Sequence, residues 1–158
     1  MNSQGMAVAS DDTIASALRS GAHVVYSLSG GKDSSAAAFA VEAHLDRIGH
    51  PRDRRHAIHA DLGLIEWPST PGFVETIAAM LGVDLSIVRR KAGGLIQRWE
   101  QRWQSSLRRY ENLETYQLVS PFSSARLRFC TGETKVQPIG SFLRASLAGE
   151  TVISVVGI

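Results

Sequence analysis

His23-Val-Val-Tyr-Ser-Leu28, then Ser29-Gly30-Gly31-Lys32-Asp33-Ser34, then Ser35-Ala-Ala-Ala-Phe-Ala-Val-Glu-Ala-His-Leu45 is the stretch that decides the fold class. The first six residues form a short apolar run of the kind a buried strand needs. The last eleven are dense in good helix formers. Between them two adjacent glycines permit positive φ and a tight turn. The order is strand, glycine turn, helix.

Outward from this unit the same alternation continues. Asp11 or Asp12 caps a short helix running to about Arg19, which Ser20-Gly21 breaks. Gly49-His50-Pro51 punctuates a loop, and Arg55-His-Ala-Ile-His-Ala60 reads as a second strand ending at Asp61-Leu62-Gly63. Ser69 or Thr70 followed by Pro71 starts a helix whose apolar face is Phe73, Val74, Ile77, Ala78 and Leu81, and Gly82 stops it. Asp84-Leu-Ser-Ile-Val88 is a third strand. Strands alternating with helices predict an α/β fold of three layers, helices on both faces of a mainly parallel twisted sheet.

The second half is read as part of the same single domain, 1–158, with a basic helical and loop part over 89–148. From Gly93 to Leu118, Ile96, Trp99, Trp103 and Leu107 recur at helical spacing with Arg98, Arg102, Arg108 and Arg109 between them, an amphipathic basic helix with its tryptophans as core anchors. Pro121 to Thr131 reads as an irregular loop, and Lys135 to Leu147 as a helix with Ile139, Phe142, Leu143 and Leu147 on its apolar face. Thr151-Val-Ile-Ser-Val-Val156 reads as a buried strand central in the sheet. A chain that stops at Ile158 just after such a strand is expected to be a fragment, or short of a segment its relatives possess.

Composition narrows the classes. With 158 residues, 44% apolar and 20% charged, the chain is an ordinary globular domain able to bury roughly two-thirds of its unfolded surface without a disulfide or metal staple. Cys130 is the only cysteine, so no intrachain disulfide, four-cysteine zinc site or single-chain iron–sulfur cluster can form, and a reducing cytoplasm is expected. Met1–Ser10 lacks the basic flank and apolar core of a secretion signal, and no stretch approaches the ~18 apolar residues of a membrane span. Charge is uneven. Residues 1–88 hold six Lys/Arg against ten Asp/Glu, whereas residues 89–144 hold eleven against four, so the basic part faces either solvent or something anionic.

The glycine turn carries the chemistry. Unpaired amides at the start of a helix, and the helix dipole, favour a bound anion there. Lys32 adds a mobile charge, Ser29 and Ser34 add hydroxyl donors, and Asp33 either orients those donors or approaches a magnesium ion. It is not a Walker loop, because Tyr26 stands where the first glycine is required and Asp33 follows the Gly-Lys pair. Nor does it match the dinucleotide fingerprint, which needs a third glycine.

Ser29-Gly30-Gly31-Lys32-Asp33-Ser34 resembles the Ser-Gly-Gly-x-Asp-Ser signature of the PP-loop, or adenine nucleotide alpha-hydrolase-like, superfamily. His59-Ala-Asp-Leu-Gly63 with Glu66-Trp-Pro-Ser-Thr70 is similar to the Asp-Thr-Gly region of phosphoadenosine phosphosulfate (PAPS) reductase-like proteins, and Arg128-Phe-Cys-Thr131 with Lys135 and Pro138 to a later segment of theirs. The resemblance implies an adenine nucleotide alpha-hydrolase-like fold and, as substrate, ATP or PAPS attacked beside its α-phosphate. It implies a nucleotide-binding set of Ser27, Ser29, Gly30, Gly31, Lys32, Asp33, Ser34, Asp61, Leu62, Gly63, Arg128 and Gly157, with Lys32, Cys130 and Lys135 in catalysis. The partners it admits are an adenine nucleotide, a thiol donor protein or nucleic acid, and a second copy of the chain; no membrane is expected. Paired cluster-binding cysteines and the cysteine-bearing tail of complete PAPS reductases are absent from this sequence.

Cys130 lies among Arg126, Arg128 and Lys135, charges that would lower its thiol pKa, while a lone cysteine is more often a small buried residue. His23, His44, His50, His56 and His59 show no metal-ligand spacing and read as strand, loop and surface residues. Two alternatives stand beside the nucleotide enzyme. One is a nucleic-acid-associated sulfur-modification module contacting phosphates through Arg98, Arg102, Arg108 and Arg109. The other is an inactive remnant that binds partners.

Overall fold

The computed structural model describes residues 8, 10–124 and 126–157. Of Met1–Ser10 only Val8 and Ser10 fall among them, and Ala125 and Ile158 lie outside. Four strands, β1 (His23–Ser27), β2 (Arg55–Asp61), β3 (Asp84–Arg89) and β4 (Val152–Val156), form one all-parallel sheet in the order β3-β2-β1-β4. Helices α1 (Asp12–Arg19), α2 (Lys32–Arg47), α3 (Thr70–Leu81) and α4 (Leu95–Glu111) follow the order of the sequence. A single turn, α5 (Phe129–Thr131), runs through a π-helical stretch, Gly132–Val136, into α6 (Gln137–Ser146).

The sheet is covered on both faces, so it is a three-layer α/β fold. Side chains alternate along each strand. Val24, Tyr26 and Ala57 face a core built with Ala38 and Leu45 of α2 and Val74, Ile77, Ala78 and Leu81 of α3. Val25, Ile58, Ala60 and Val88 face the other way, against Ile139 and Leu143 of α6 and Leu147. Local signals set the helix ends. The Asp11 carboxylate accepts from the Ile14 amide at 2.8 Å, Pro71 occupies the first turn of α3, and Gly82 closes it with φ +68°. No helix among the described residues is long and apolar enough to cross a membrane.

The structure corrects several expectations. β4 is an edge strand, paired with β1 alone, and its residues are half-buried or exposed. An unbroken apolar run looks the same in sequence whether one or both of its flanks are paired. Helical structure begins at Phe129, six residues before Lys135. Phe73, Trp103 and Phe142 lie partly in solvent instead of in the core, and α4 buries Leu95 and Ser106. Helical period identifies a stripe but not its width.

One pH dependence follows from the strands. His23 Nδ1 lies 2.9 Å from His56 Nε2, with the rings stacked at 5.2 Å. Burial, and after it the neighbouring His23, holds the His56 imidazole below its usual 6.5. The unfolded chain therefore binds this proton more readily than the folded one. The sign follows: stability is fully present above pH 6.5 and falls as the pH drops through the depressed folded value. Thermal melts from neutral to mildly acid pH are expected to show a falling midpoint, with a shallower fall in His56→Gln.

Candidate functional site: a glycine turn at the carboxyl end of the sheet

Gly30 holds φ +76°, and a Cβ there would stand 2.7 Å from Thr70 Cγ2, so both backbone and space require glycine. Gly31 is the extended N-cap of α2 and has no side chain to cap it. The serines that follow turn inward. Ser34 Oγ accepts from the Ser29 amide at 3.2 Å, lies 3.0 Å from Ser29 Oγ, and donates to the Gly31 carbonyl at 3.0 Å. Ser35 Oγ donates to the same carbonyl. The Gly31 amide makes only a long 3.4 Å bond to Ser29 Oγ. The amides of Gly30, Lys32, Asp33 and Ser34 have no acceptor among the described residues.

Four unpaired amides over five residues, at the positive end of a sixteen-residue helix, are the donor set an oxyanion needs. Lys32 and Asp33 are exposed and form no ion pair with any described residue. The end of β4 closes one side. A Cβ on Gly157 would fall 2.4 Å from the Ser34 amide nitrogen and 2.8 Å from the Asp33 carbonyl carbon, so only a residue without a side chain lets β4 pass so near these amides.

Lys135 reaches the turn from the π-helical stretch. Together with Ser27, Leu28, Ser29, His59, Ala60 and Glu66 it lines a small cavity of about 30 Å³ beside the cradle. Half-buried, it has no carboxylate within 4.0 Å among the described residues. π-turns recur at functional sites because they re-aim side chains. Here the turn carries Glu133 to Arg98, at 2.5 and 2.9 Å, while Lys135 lines the cradle's cavity.

The same cavity holds a pair that sequence reasoning missed. His59, 2% exposed, sets Nδ1 2.8 Å from the Leu28 carbonyl and Nε2 3.2 Å from Glu66 Oε2. A carbonyl only accepts, so Nδ1 donates to it. Nε2 then faces a carboxyl oxygen, and a proton must lie between them. The pair ties the loop after β2 to the strand that feeds the cradle. The only signal for it was a histidine set between the apolar residues Ile58 and Ala60 of β2.

Asp61, Leu62 and Gly63 form the turn at the end of β2. Asp61 Oδ1 accepts from the Gly63 amide at 2.6 Å, and Oδ2 accepts from Arg89 Nε at 3.1 Å and from its Nη2. Partial burial pushes this carboxyl up, but Arg89 and the Gly63 amide outweigh it and hold it below the usual carboxylate range. Both oxygens are thus engaged within the protein. Asp61, Gly63, Glu66, Trp67, Arg89 and Gln97 line a groove of about 630 Å³, next to the cavity that Glu66 shares. Leu62 meets the start of α4, where its carbonyl lies 3.0 Å from the Cβ position of Gly94.

Arg128 and Cys130 stand apart, lining neither cavity. Arg128 is exposed at the start of α5. The Cys130 thiol is held below its usual range chiefly by the Ser123 hydroxyl, an approach too loose to count as a formed hydrogen bond, with Thr131 adding and partial burial opposing. Hydroxyl neighbours, not the arginines, lower it. Two of the four arginines of the basic helix are occupied: Glu133 takes Arg98, and Glu114 takes Arg109 at 3.5 Å. No family model matches this sequence, and no curated protein matches it.

Proposed function

We propose that the Ser29–Ser34 turn binds the phosphate or sulfate of an adenine nucleotide, and that the chain is a PAPS reductase-like PP-loop domain acting on a sulfonucleotide, or on ATP at its α-phosphate. The observation that carries this reading is the set of four amides without acceptors at the start of α2, flanked by two lysines without ion-pair partners, Lys32 and Lys135. Such a set is costly unless an anion or water completes it.

The catalysis would be electrostatic. As a nucleophile bonds to the α-phosphorus, the bond to the pyrophosphate oxygen breaks and negative charge grows on the departing oxygens. Fixed amides and Lys32 meet that charge without reorganising, which is where preorganised donors gain most. Lys135 lines the small cavity beside Ser29 and adds a second positive charge near the turn. Asp33, with no ion-pair partner among the described residues, would be the carboxylate to hold a magnesium ion, which would supply counter-charge to the phosphates, whereas Asp61 spends both oxygens on Gly63 and Arg89. The groove containing Trp67 meets the small cavity beside the cradle through Glu66 and offers an aromatic face to the acceptor. An unpaired Cys130 fits a reducing cytoplasm.

Calorimetry with ATP, adenosine phosphosulfate and PAPS tests the reading. One of the three is expected to bind, and Lys32→Ala to weaken it by about tenfold or more, the worth of a charge-assisted contact. No binding by any of them, or binding indifferent to Lys32, removes the proposal.

A further inference from the structure

We propose that a pocket between α4 and the segment following it is a second oxyanion site, separate from the glycine turn, in which Arg102 takes a phosphate group. The pocket has a volume of about 210 Å³ and is lined by Arg98, Arg102, Arg109, Ser105, Ser106 and Thr115. Its three cations are not equivalent. Arg98 is held by Glu133, and Arg109 by Glu114, so each of those charges is met by a carboxylate. Arg102 makes no hydrogen bond and no ion pair with any described residue. Its guanidinium lies 4.3 Å from the centre of the Phe129 ring, which fixes its plane but satisfies none of its N–H groups.

Burial makes that vacancy informative. Arg102 Nε is shut off from solvent without an acceptor, and so is the indole Nε1 of Trp99, three residues earlier on the same face of α4. Buried donors in folded proteins almost always find a partner, so Arg102 Nε on the wall of the pocket points to an acceptor that belongs there. Trp99, one turn away and packed edge-on against Phe122, is a reporter beside the site and not part of its lining. Arginines outnumber carboxylates around the pocket: Glu133 is shared by Arg98 and Arg90 and lies within electrostatic reach of Arg102, which it does not contact, while Glu114 faces Arg109. A guanidinium offers a planar fork that fits a phosphate bidentately, and the hydroxyls of Ser105 and Ser106 stand on the same wall. The Ser106 hydroxyl oxygen already accepts from the Val119 amide at 2.6 Å, so its hydrogen remains to be given.

The phosphate has two sources, a free small molecule or a nucleic-acid backbone, and the experiment separates them. Nitrogen-15-labelled protein is titrated with inorganic phosphate and, separately, with a short single-stranded DNA, following the indole N–H signals of Trp67, Trp99 and Trp103. In wild type and in Lys32→Ala alike, phosphate is expected to move the Trp99 signal, which distinguishes this site from the cradle. Arg102→Gln is expected to weaken that response by about tenfold, the worth of a hydrogen bond to a charged group. Arg102→Lys, which keeps the charge and loses the fork, serves if the glutamine variant fails to fold, and is expected to weaken it several-fold. DNA moving the same signal in a salt-sensitive, Arg102-dependent way assigns the phosphate to a backbone; phosphate alone doing so assigns it to a small molecule. A Trp99 signal indifferent to both ligands, or equally responsive in Arg102→Gln, overturns the proposal.

Discussion

Arg55→Met is expected to remove about 3–5 kcal/mol of stability, the cost of leaving a buried charge without its partner. The Arg55 side chain is 1% exposed at the start of β2. Its Nη1 donates to Glu42 Oε1 and Asp46 Oδ1, both at 2.6 Å, and its Nη2 to the His50 carbonyl. The Tyr26 hydroxyl donates to the other oxygen of Glu42. Burial, with Glu42 adding, pushes the Tyr26 phenol far above its ordinary range, so it stays a donor at any working pH. This network joins β1, β2, α2 and the loop before β2 at one point, and Glu42 sits inside it with a 9% exposed side chain. Without Arg55 that carboxylate keeps only Tyr26 and the peripheral Arg52 at 3.4 Å. At about 2–4 °C per kcal/mol for a chain of this size, the melting midpoint should fall by roughly 10 °C. Adding Glu42→Gln to Arg55→Met should recover part of the loss, because the penalty is the stranded charge; a double variant no better than the sum of the two singles would show that packing is the cause.

Gly157→Ala is expected to disturb the cradle itself. The new methyl would meet Ser34 N at 2.4 Å, Ser34 Cα at 2.7 Å and Asp33 C at 2.8 Å, all main-chain atoms that cannot rotate away. Either the end of β4 lifts off β1 or the first turn of α2 is displaced. Overpacking of this kind costs about 1–3 kcal/mol. The larger effect should fall on ligand affinity, since the amides that move are the ones assigned to the anion. The matched control is Gly72→Ala, where a Cβ meets nothing within 4 Å. Calorimetry on the two variants should find binding lost in the first and kept in the second. Binding unimpaired in Gly157→Ala would place the nucleotide elsewhere.

Much of this architecture is written locally. His23–Ser27 with Gly30-Gly31 and the alanine-rich run after it fixes a strand–turn–helix by short-range sterics alone, and Asp11, Pro71 and Gly82 mark helix ends through single hydrogen bonds or single dihedrals. What the sequence hid is what depends on distant partners. The edge position of β4 depends on which strand pairs with it. The early start of the last helical run at Phe129 goes with Glu133 meeting Arg98, 35 residues away in sequence and a contact made only on folding. His59 and Glu66 are seven residues apart with a turn between them, and nothing in their spacing announces that both ring nitrogens of His59 are engaged. Four arginines along α4 read as one basic face, yet their carboxylate partners separate Arg102 from Arg98 and Arg109.

The most direct test of the nucleotide assignment follows the backbone amide signals of Gly30, Lys32, Asp33 and Ser34 while ATP or PAPS is added. The account predicts that these four move together, downfield and to saturation, and that the response is lost in Gly157→Ala. Saturable binding that leaves all four in place while other amides shift would contradict it.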